Sequence, residues 1–404
     1  MRAFVAGSVG VGLTACAGPT FSPSPSTSPG LASPSPTTTP SPTPTPSPTP
    51  AEPPSPSPTS DPAALRRKAA RLLMVGFRGL TVGPHDPITR ALEGGLGGVI
   101  LFDRDRVKPT RNITSPGQLK ALTASVRTAA SVNLLVAIDQ EGGRVARLKP
   151  AQGFPATRSQ ADIGATGDTD EAFEAGRAMG ATMADAGIDL DLAPVVDLNV
   201  NPTNPAIGAL ERSFSADPAV VAEMAEAEIR GLHEQGVRAT IKHFPGLGSA
   251  TANTDFDRVD VTKTWSDAEL DPYRALIAAG VVDAVMTGHI VNDELDPGVP
   301  ASLSAATVDG LLRDQLGWTG VVVTDDLGAE AIVGRYARDE AIALAIEAGN
   351  DLLLFANQTI YVTDLATQLI DAIVGHVESG RIAESRIDTS IARLDRLAVG
   401  SVSE

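Results

Sequence analysis

The chain has 404 residues, a net charge of −17 and only 4% aromatic side chains. No basic run interrupts this acidity, so the electrostatic footprint of a nucleic-acid binder is missing and a phosphate backbone would be repelled. After the N-terminus no apolar run reaches the roughly 18 residues needed to span a bilayer, so any membrane attachment must come from the front.

Met1-Arg2 followed by the short apolar stretch from Ala3 to Leu13 reads as a brief secretory signal. It ends in Leu13-Thr14-Ala15-Cys16, which resembles the bacterial lipoprotein box, and Cys16 is the only cysteine. A lone Cys directly after a signal has no core to join. Residues 1–16 are therefore expected to be a signal whose Cys16 is lipidated, and two or more acyl chains suffice for stable membrane anchoring. Residues 17–62 are dominated by Ser-Pro and Thr-Pro repeats, which favour extended polyproline-II conformations and supply no apolar surface to bury. At about 3 Å per residue such a stalk reaches up to roughly 100 Å, enough to carry the following domain into a cell wall.

From residue 63 to 404, short runs rich in Val, Ile and Leu alternate with segments of helical period, the pattern of βα units around a parallel sheet. The spacing predicts eight strands, at 71–77, 98–102, 134–138, 190–196, 238–243, 284–289, 321–325 and 351–355. Runs such as LLVAI and GVVVT suit strands buried on both faces. Between them, Ser115-Pro116 and Asp217-Pro218 read as helix N-caps followed by Pro, and Gly236 is placed to end its helix. Ser266 with Glu269 reads as a capping box. Eight alternations favour a single (β/α)8 TIM-type barrel domain, with an open doubly wound sheet as the alternative.

In such a barrel the chemistry sits where strands end, on the face built by the βα loops. The third strand runs into Asp139-Gln140-Glu141-Gly142-Gly143-Arg144, the fourth into Asp197, the fifth into Lys242-His243, the sixth into His289 and the seventh into Thr324-Asp325-Asp326. Five strands thus end in ionisable groups on one rim. Acidic and cationic residues converge there without HExxH or clustered His spacing, so neither a metal nor a cofactor is expected. A Gly-x-Ser-x-Gly elbow is also missing. A carboxylate ringed by hydrogen-bond donors suits a polyhydroxylated substrate, because the oxocarbenium-like transition state of glycoside cleavage is cationic at the anomeric carbon.

Lys242-His243-Phe244-Pro245-Gly246-Leu247-Gly248 resembles the KHFPGxG signature of glycoside hydrolase family 3, with IDQEGGRV and VVVTDDL in the matching order and spacing. The resemblance spans about residues 63–404. It is greatest to the single-barrel β-N-acetylglucosaminidases of that family, since the sequence ends without the second α/β domain of the larger β-glucosidases. The resemblance implies a retaining mechanism with Asp325 as nucleophile, and it implies that Asp139, Arg147, Arg212, Lys242, His243 and His289 bind the terminal sugar. Asp326 is expected on the other face of its strand, as a structural group or a cap for the next helix. Glu141 and Arg144 are expected to pair with each other and hold their loop.

One departure stands out. Single-barrel members carry a His-Asp acid/base pair in the loop after KHFPGHG, whereas this loop reads Ser249-Ala250-Thr251-Ala252-Asn253-Thr254-Asp255-Phe256-Asp257. Asp255, at the His position, becomes the candidate acid/base, since burial or a neighbouring carboxylate can raise a carboxyl pKa. Asp257 is its rival, and Asn253 to Asp255 forming only a turn is the bland alternative. The resemblance implies exo-acting removal of terminal β-linked N-acetylglucosamine from peptidoglycan or chitin-like fragments. The alternatives are a β-glucosidase or β-xylosidase of the same family and a lipid-anchored sugar-binding protein with a degenerate site.

Overall fold

The structure, a computed structural model, describes residues 61–399, so the expected signal, Cys16 and almost all of the stalk lie outside the described residues. Helix α1 (Pro62–Arg71) leads into β1 (Leu73–Gly76), α2 (Pro87–Glu93), β2 (Gly98–Ile100), α3 (Pro116–Ala129) and β3 (Leu135–Ile138). Two helices, α4 (Gln160–Gly164) and α5 (Thr169–Asp185), precede β4 (Leu190–Asp191), and α6 (Pro218–Glu234) precedes β5 (Arg238–Phe244). Then follow α7 (Asp271–Ala279), β6 (Ala284–Thr287), a π-helical stretch (Ala306–Gln315) and β7 (Val321–Thr324). Helices α8 (Glu330–Val333) and α9 (Arg338–Glu347), strand β8 (Leu353–Phe355), and helices α10 (Leu365–Glu378) and α11 (Glu384–Val399) complete the chain. No described helix is long and apolar enough to cross a membrane.

All eight expected strands form, and every pairing between them is parallel, in the order β7-β6-β5-β4-β3-β2-β1-β8. A parallel bridge between Val323 and Leu352 joins β7 to the β8 segment and closes the barrel, which excludes the open sheet. The strands are shorter than the apolar runs that announce them. Arg71 belongs to α1, and β4 keeps two paired residues before Val195 bridges Lys242.

Apolar residues sort by the two-residue period of a strand. Met74, Ile100, Leu135, Ala137, Ala284, Met286, Val321, Val323 and Leu354 form one cluster inside the barrel. Their neighbours Leu73, Val75, Val99, Val136, Val285 and Val322 belong to the larger cluster shared with the helices. Both faces of the strands are therefore dry, which is why their sequences show no polar alternation.

Two helix starts behave as the sequence predicts. Ser115 accepts from the Gln118 amide at 3.3 Å and Asp217 from the Ala219 amide at 2.9 Å. Gly236, at φ 74°, follows α6 in the left-handed conformation that ends it. The expected capping box is not there. Ser266 makes no side-chain cap, and Glu269 turns inward to accept from the Gly248 amide at 2.8 Å, because the loop after β5 needs a buried acceptor.

At the closing seam, the buried Arg111 donates from Nε to the Phe77 carbonyl at 2.9 Å and from Nη2 to the Ala356 carbonyl at 2.7 Å, tying the ends of β1 and β8 together. Burial brings its pKa down to about 10, so it remains charged at neutral pH. Gly76 is required beside it, since a Cβ there would lie 2.3 Å from the Ala356 oxygen and 2.6 Å from Arg111 Nη2. Gly76→Ala is expected to destabilise the domain by about 1–3 kcal/mol through overpacking, seen as a lower urea midpoint at unchanged slope.

Candidate active site

The same two-residue period delivers the polar groups. On β7, Val321 and Val323 face the barrel axis, and Asp325 continues their line to the mouth. On β3, Leu135 and Ala137 are followed by Asp139, and on β2 the line Ile100, Phe102 runs on into Arg104 and Arg106. On β5, Ala239 and Ile241 pack outward, which turns Lys242 inward. His243 joins it at the cavity, where the register of β5 against β6 shifts between Ile241 and Phe244. Together these residues line a cavity of about 400 Å³ at the C-terminal ends of the strands.

Its floor is an ion-pair network. Lys242 Nζ donates to Asp139 Oδ1 at 2.9 Å and to Glu141 Oε1 at 2.7 Å. Arg147 reaches the other Asp139 oxygen at 3.1 Å, and Arg212 forks onto Glu141 at 2.6 and 2.7 Å. Burial alone would raise both carboxyls. Lys242 and Arg147 instead hold Asp139 well below the usual range, and Arg212 and Lys242 hold Glu141 near about 2. The ammonium answers in kind. Burial lowers the Lys242 pKa, but Asp139 and Glu141 outweigh burial and leave it raised.

His243 Nδ1 lies 2.7 Å from Asp197 Oδ2, and Asp197 Oδ1 accepts from the amides of His243 and Leu247 at 3.2 and 2.7 Å. Asp197 thereby fixes both the ring and the KHFPGLG backbone. Arg212 Nη2 comes within 3.4 Å of His243 Nε2. Asp139, Arg147, Arg212, Lys242 and His243 are thus brought together at one cavity.

His289 is placed elsewhere. It is buried and absent from the cavity lining, with Nδ1 2.7 Å from Ser302 Oγ and Nε2 2.9 Å from the Asp326 carbonyl. Burial lowers its pKa, so it is neutral, donating from Nε2 to the carbonyl and accepting from the serine hydroxyl. It braces the backbone beside Asp325 and lies outside the cavity lining, where the sequence placed it as a sugar contact. The expected Glu141–Arg144 pair is also absent. The Gly142-Gly143 turn, at φ 90° and 53°, carries the chain outward, so exposed Arg144 meets Glu211 at 3.0 Å while Glu141 stays inside with Arg212 and Lys242.

On the opposite wall stand carboxyl groups that pair with no Lys or Arg among the described residues. Asp325 receives the Asp326 amide on Oδ1 at 2.8 Å and pairs with no Lys or Arg among the described residues. Asp326 lines the cavity wall but accepts from the amides of Gly328 and Ala356 at 2.9 Å each, so it fastens the β7 loop to the end of β8 and caps no helix. Burial pushes its carboxyl up to about 6.

Asp255 sits in a turn closed by its amide on Asn253 Oδ1 at 2.9 Å, and the carbonyls of Thr254 and Asp255 accept from Ala331 and Glu330 at the start of α8. Asp255 is exposed at the cavity mouth. Even so, the enclosing walls first, and the Asp325 carboxylate second, raise its carboxyl above the ordinary aspartate range. Asp257 lies outside the cavity lining. The expected turn forms with Asp255 on the cavity lining. Among the described residues no group of three or more His, Cys, Asp or Glu side chains is arranged to hold a metal ion.

Sequence reasoning missed the roles of four residues. Glu141 is the shared anion of the floor, and extending the β2 register past Phe102 would have found Arg104 and Arg106. Asp191, fully buried behind the floor, accepts from the Gln140 amide at 2.9 Å, and burial pushes its carboxyl up to about 7. Its place inside an apolar strand hid it.

A closed barrel whose mouth holds carboxyl groups above an ion-paired polar floor is suited to binding and cleaving a polyhydroxylated substrate. Residues 64–397 match the glycosyl hydrolase family 3 N terminal domain, and the chain belongs to that family of glycoside hydrolases. A β-hexosaminidase of Xylella fastidiosa strain M23 is 36% identical over 313 residues, covering 75% of this chain and 87% of that protein. One from Tolumonas auensis is 39% identical over 274 residues, covering 65% and 76%. Among solved structures, a family 3 β-N-acetylglucosaminidase from Paenibacillus sp. FPU-7 superposes with a TM-score of 0.76 at 38% identity, covering 82% of this chain and 62% of that longer one. A β-N-acetylhexosaminidase from Beutenbergia cavernae superposes with a TM-score of 0.74 at 33% identity, covering 83% and 98%.

Removing Glu141 would leave Lys242 and Arg212 buried with less counter-charge, so Glu141→Ala is expected to cost roughly 3–5 kcal/mol in denaturant unfolding. Asp191 acts through pH. With its folded pKa raised, the folded chain keeps a proton that the unfolded chain loses, so its stabilising effect is complete below about pH 4 and is lost as pH rises through about 7. Asp191→Asn is therefore expected to melt at an increasingly higher temperature than the wild type as pH rises from 4 to 7. A constant difference across that range would contradict the assignment.

Proposed function

We propose that this protein is a retaining exo-glycosidase that removes terminal β-linked N-acetylglucosamine through a covalent glycosyl-enzyme. The observation that carries the reading is the placing of Asp325, which pairs with no Lys or Arg among the described residues, across the cavity from Asp255, whose carboxyl pKa is raised. In the first step an Asp325 oxygen attacks the anomeric carbon while the bond to the leaving oxygen breaks, and Asp255 delivers its proton to that oxygen. In the second, Asp255 takes a proton from water, whose oxygen displaces Asp325 from the same carbon. Two inversions retain the β configuration.

The floor supports recognition of one terminal residue. Asp139, Lys242, Arg147 and Arg212 present fixed charges at which sugar hydroxyls and an acetamido group find partners, and a cavity of about 400 Å³ suits a single saccharide unit. The N-acetyl preference is supported by the relatives named β-hexosaminidase and β-N-acetylglucosaminidase. Export and anchoring through Cys16, with the Pro-rich segment as a stalk, complete the proposal and would put the domain among cell-wall fragments.

Asp325→Asn is expected to abolish turnover of nitrophenyl N-acetylglucosaminide by at least about 10³-fold without loss of fold, and normal turnover would overturn the assignment. Asp255→Ala is expected to lose about 10²–10⁴-fold on substrates with poor leaving groups, much less on nitrophenyl substrates, with rescue by azide. Comparison of nitrophenyl N-acetylglucosaminide with the glucoside and xyloside separates the proposal from a β-glucosidase or β-xylosidase. Binding without turnover by the wild type would indicate a sugar-binding protein.

A further inference from the structure

The end of the barrel away from the cavity holds a second pocket, of about 280 Å³, that the glycosidase chemistry does not use. Val321 opens β7 and lines this pocket, whereas Asp325 follows the same strand at the cavity mouth, so the two sites lie roughly 13 Å apart along it. Arg238, at the start of β5, and Arg393 and Arg396, on α11, line the pocket too. Helix α11 covers this end of the barrel, and its Leu394 and Leu397 join the interior cluster. The two arginines stand three residues apart, as the leucines do, and so share one side of the helix. No basic run in the sequence announces this group, because the fold draws it from two distant segments.

The carboxylates nearby do not balance the cluster. Asp351, buried and bonded to Arg393 at 2.9 Å, also meets Arg313 at 2.8 Å and Arg386 at 3.6 Å. Arg313 reaches one further carboxylate, Asp309, at 3.5 Å. Burial lowers the pKa of Arg313 and of Arg386, Asp351 opposes the lowering, and repulsion from Arg393 adds to it. Arg396 is exposed and pairs with no carboxylate among the described residues. Asp283, the carboxylate of the pocket wall, is engaged by His233 at 2.7 Å and by the Ala239 amide at 2.8 Å. Positive charge is therefore in excess at this end of a chain whose net charge is −17.

Trp318 supplies an aromatic wall. Its Nε1 donates to the Val321 carbonyl at 3.1 Å, and a Cβ on Gly320 would lie 2.3 Å from the ring, so the indole is packed tightly in place. Cations beside an aromatic wall fit a ligand with an anionic end and a ring. The acidity of the whole chain repels a long polyanion, whereas a small anion responds mainly to charges within a Debye length of about 8 Å. Guanidinium forks match phosphate oxygens, and a phosphate monoester brings about −1.5 to −2 of charge where a carboxylate brings −1. We propose that this pocket binds a small phosphate monoester, its phosphate held by Arg238, Arg393 and Arg396 and its ring set against Trp318. Occupancy there leaves the catalytic cavity open to substrate.

The test uses ligands that share one ring. Glucose 6-phosphate, glucuronate and glucose differ at carbon 6, which bears a phosphate, is a carboxylate or bears a hydroxyl. Titration calorimetry on the full chain is expected to show glucose 6-phosphate binding at least about 10-fold tighter than glucuronate, with affinity falling in added salt. Inorganic phosphate, which lacks the ring, is expected to bind more weakly than glucose 6-phosphate. The phosphate ester is also expected to change the emission of Trp318, a response that W318F removes.

R396E is expected to weaken glucose 6-phosphate by at least about 10-fold, and thermal melting verifies that this exposed variant is folded. Saturating glucose 6-phosphate is expected to leave the KM for nitrophenyl N-acetylglucosaminide unchanged. No binding of glucose 6-phosphate up to about 10 mM, affinity for glucuronate equal to that for the ester, or affinity unchanged in R396E would overturn the proposal. An emission response that survives in W318F would overturn the placement of the ring. Competitive inhibition that persists in R396E would put the phosphate in the catalytic cavity and overturn the proposal as well. Binding is read without turnover, so this proposal and the glycosidase reading fail separately.

Discussion

The site depends on one geometric constraint, the filling of the barrel axis by every second residue of eight short strands. Packing inside the barrel needs apolar side chains only as far as the last paired layer, as with Val321 and Val323 on β7 or Leu135 and Ala137 on β3. The next position on the same face still points at the axis but now opens to solvent. A polar residue there is fixed by the strand beneath it without interrupting the core. Asp325, Asp139, Lys242 and Arg104 are all such positions, so the strand register that builds the core also aims the chemistry.

What lies on that ring is sorted by charge. The floor places Lys242, Arg147 and Arg212 against Asp139 and Glu141, every charge answered within about 3 Å. Such a network stabilises little by itself, since the desolvation of the ions offsets most of their attraction. Its consequence is rigidity. Donors and acceptors are held in place before a sugar arrives, which avoids reorganisation when it binds. Glu141 makes no use of its charge beyond this, serving as a shared anion that keeps two buried cations apart and oriented.

Much of this was legible in the sequence because it follows from local rules. Apolar runs of strand length and helical segments between them gave the barrel, and Pro after Ser115 and Asp217 marked two helix starts. The failures share a cause. Glu141 and Arg144 are three residues apart and look like partners, but the Gly142-Gly143 turn between them separates inside from outside, and the true partner, Arg212, is 71 residues away. Glu269 follows Ser266 at capping-box spacing, yet a distant loop claims its carboxylate. His289 stands at a strand end like the others, but Ser302 and the Asp326 carbonyl occupy both ring nitrogens. Long-range partners decide these cases, and spacing along the chain carries no record of them.

The loop after β5 carries Asp255 where the family resemblance expects a histidine acid. A histidine acid needs a partner to set its charge near neutral pH, whereas a carboxyl needs the opposite, a setting that keeps its proton on. The enclosing cavity walls and the neighbouring Asp325 carboxylate both push the Asp255 pKa upward, the direction a proton donor needs. In the proposed mechanism, the absence of a cation bonded to Asp325 among the described residues suits it for attack and also contributes to raising the Asp255 pKa. A cation paired with Asp325 would weaken both groups at once, which accounts for the segregation of the arginines and Lys242 to the floor and to the β2 rim.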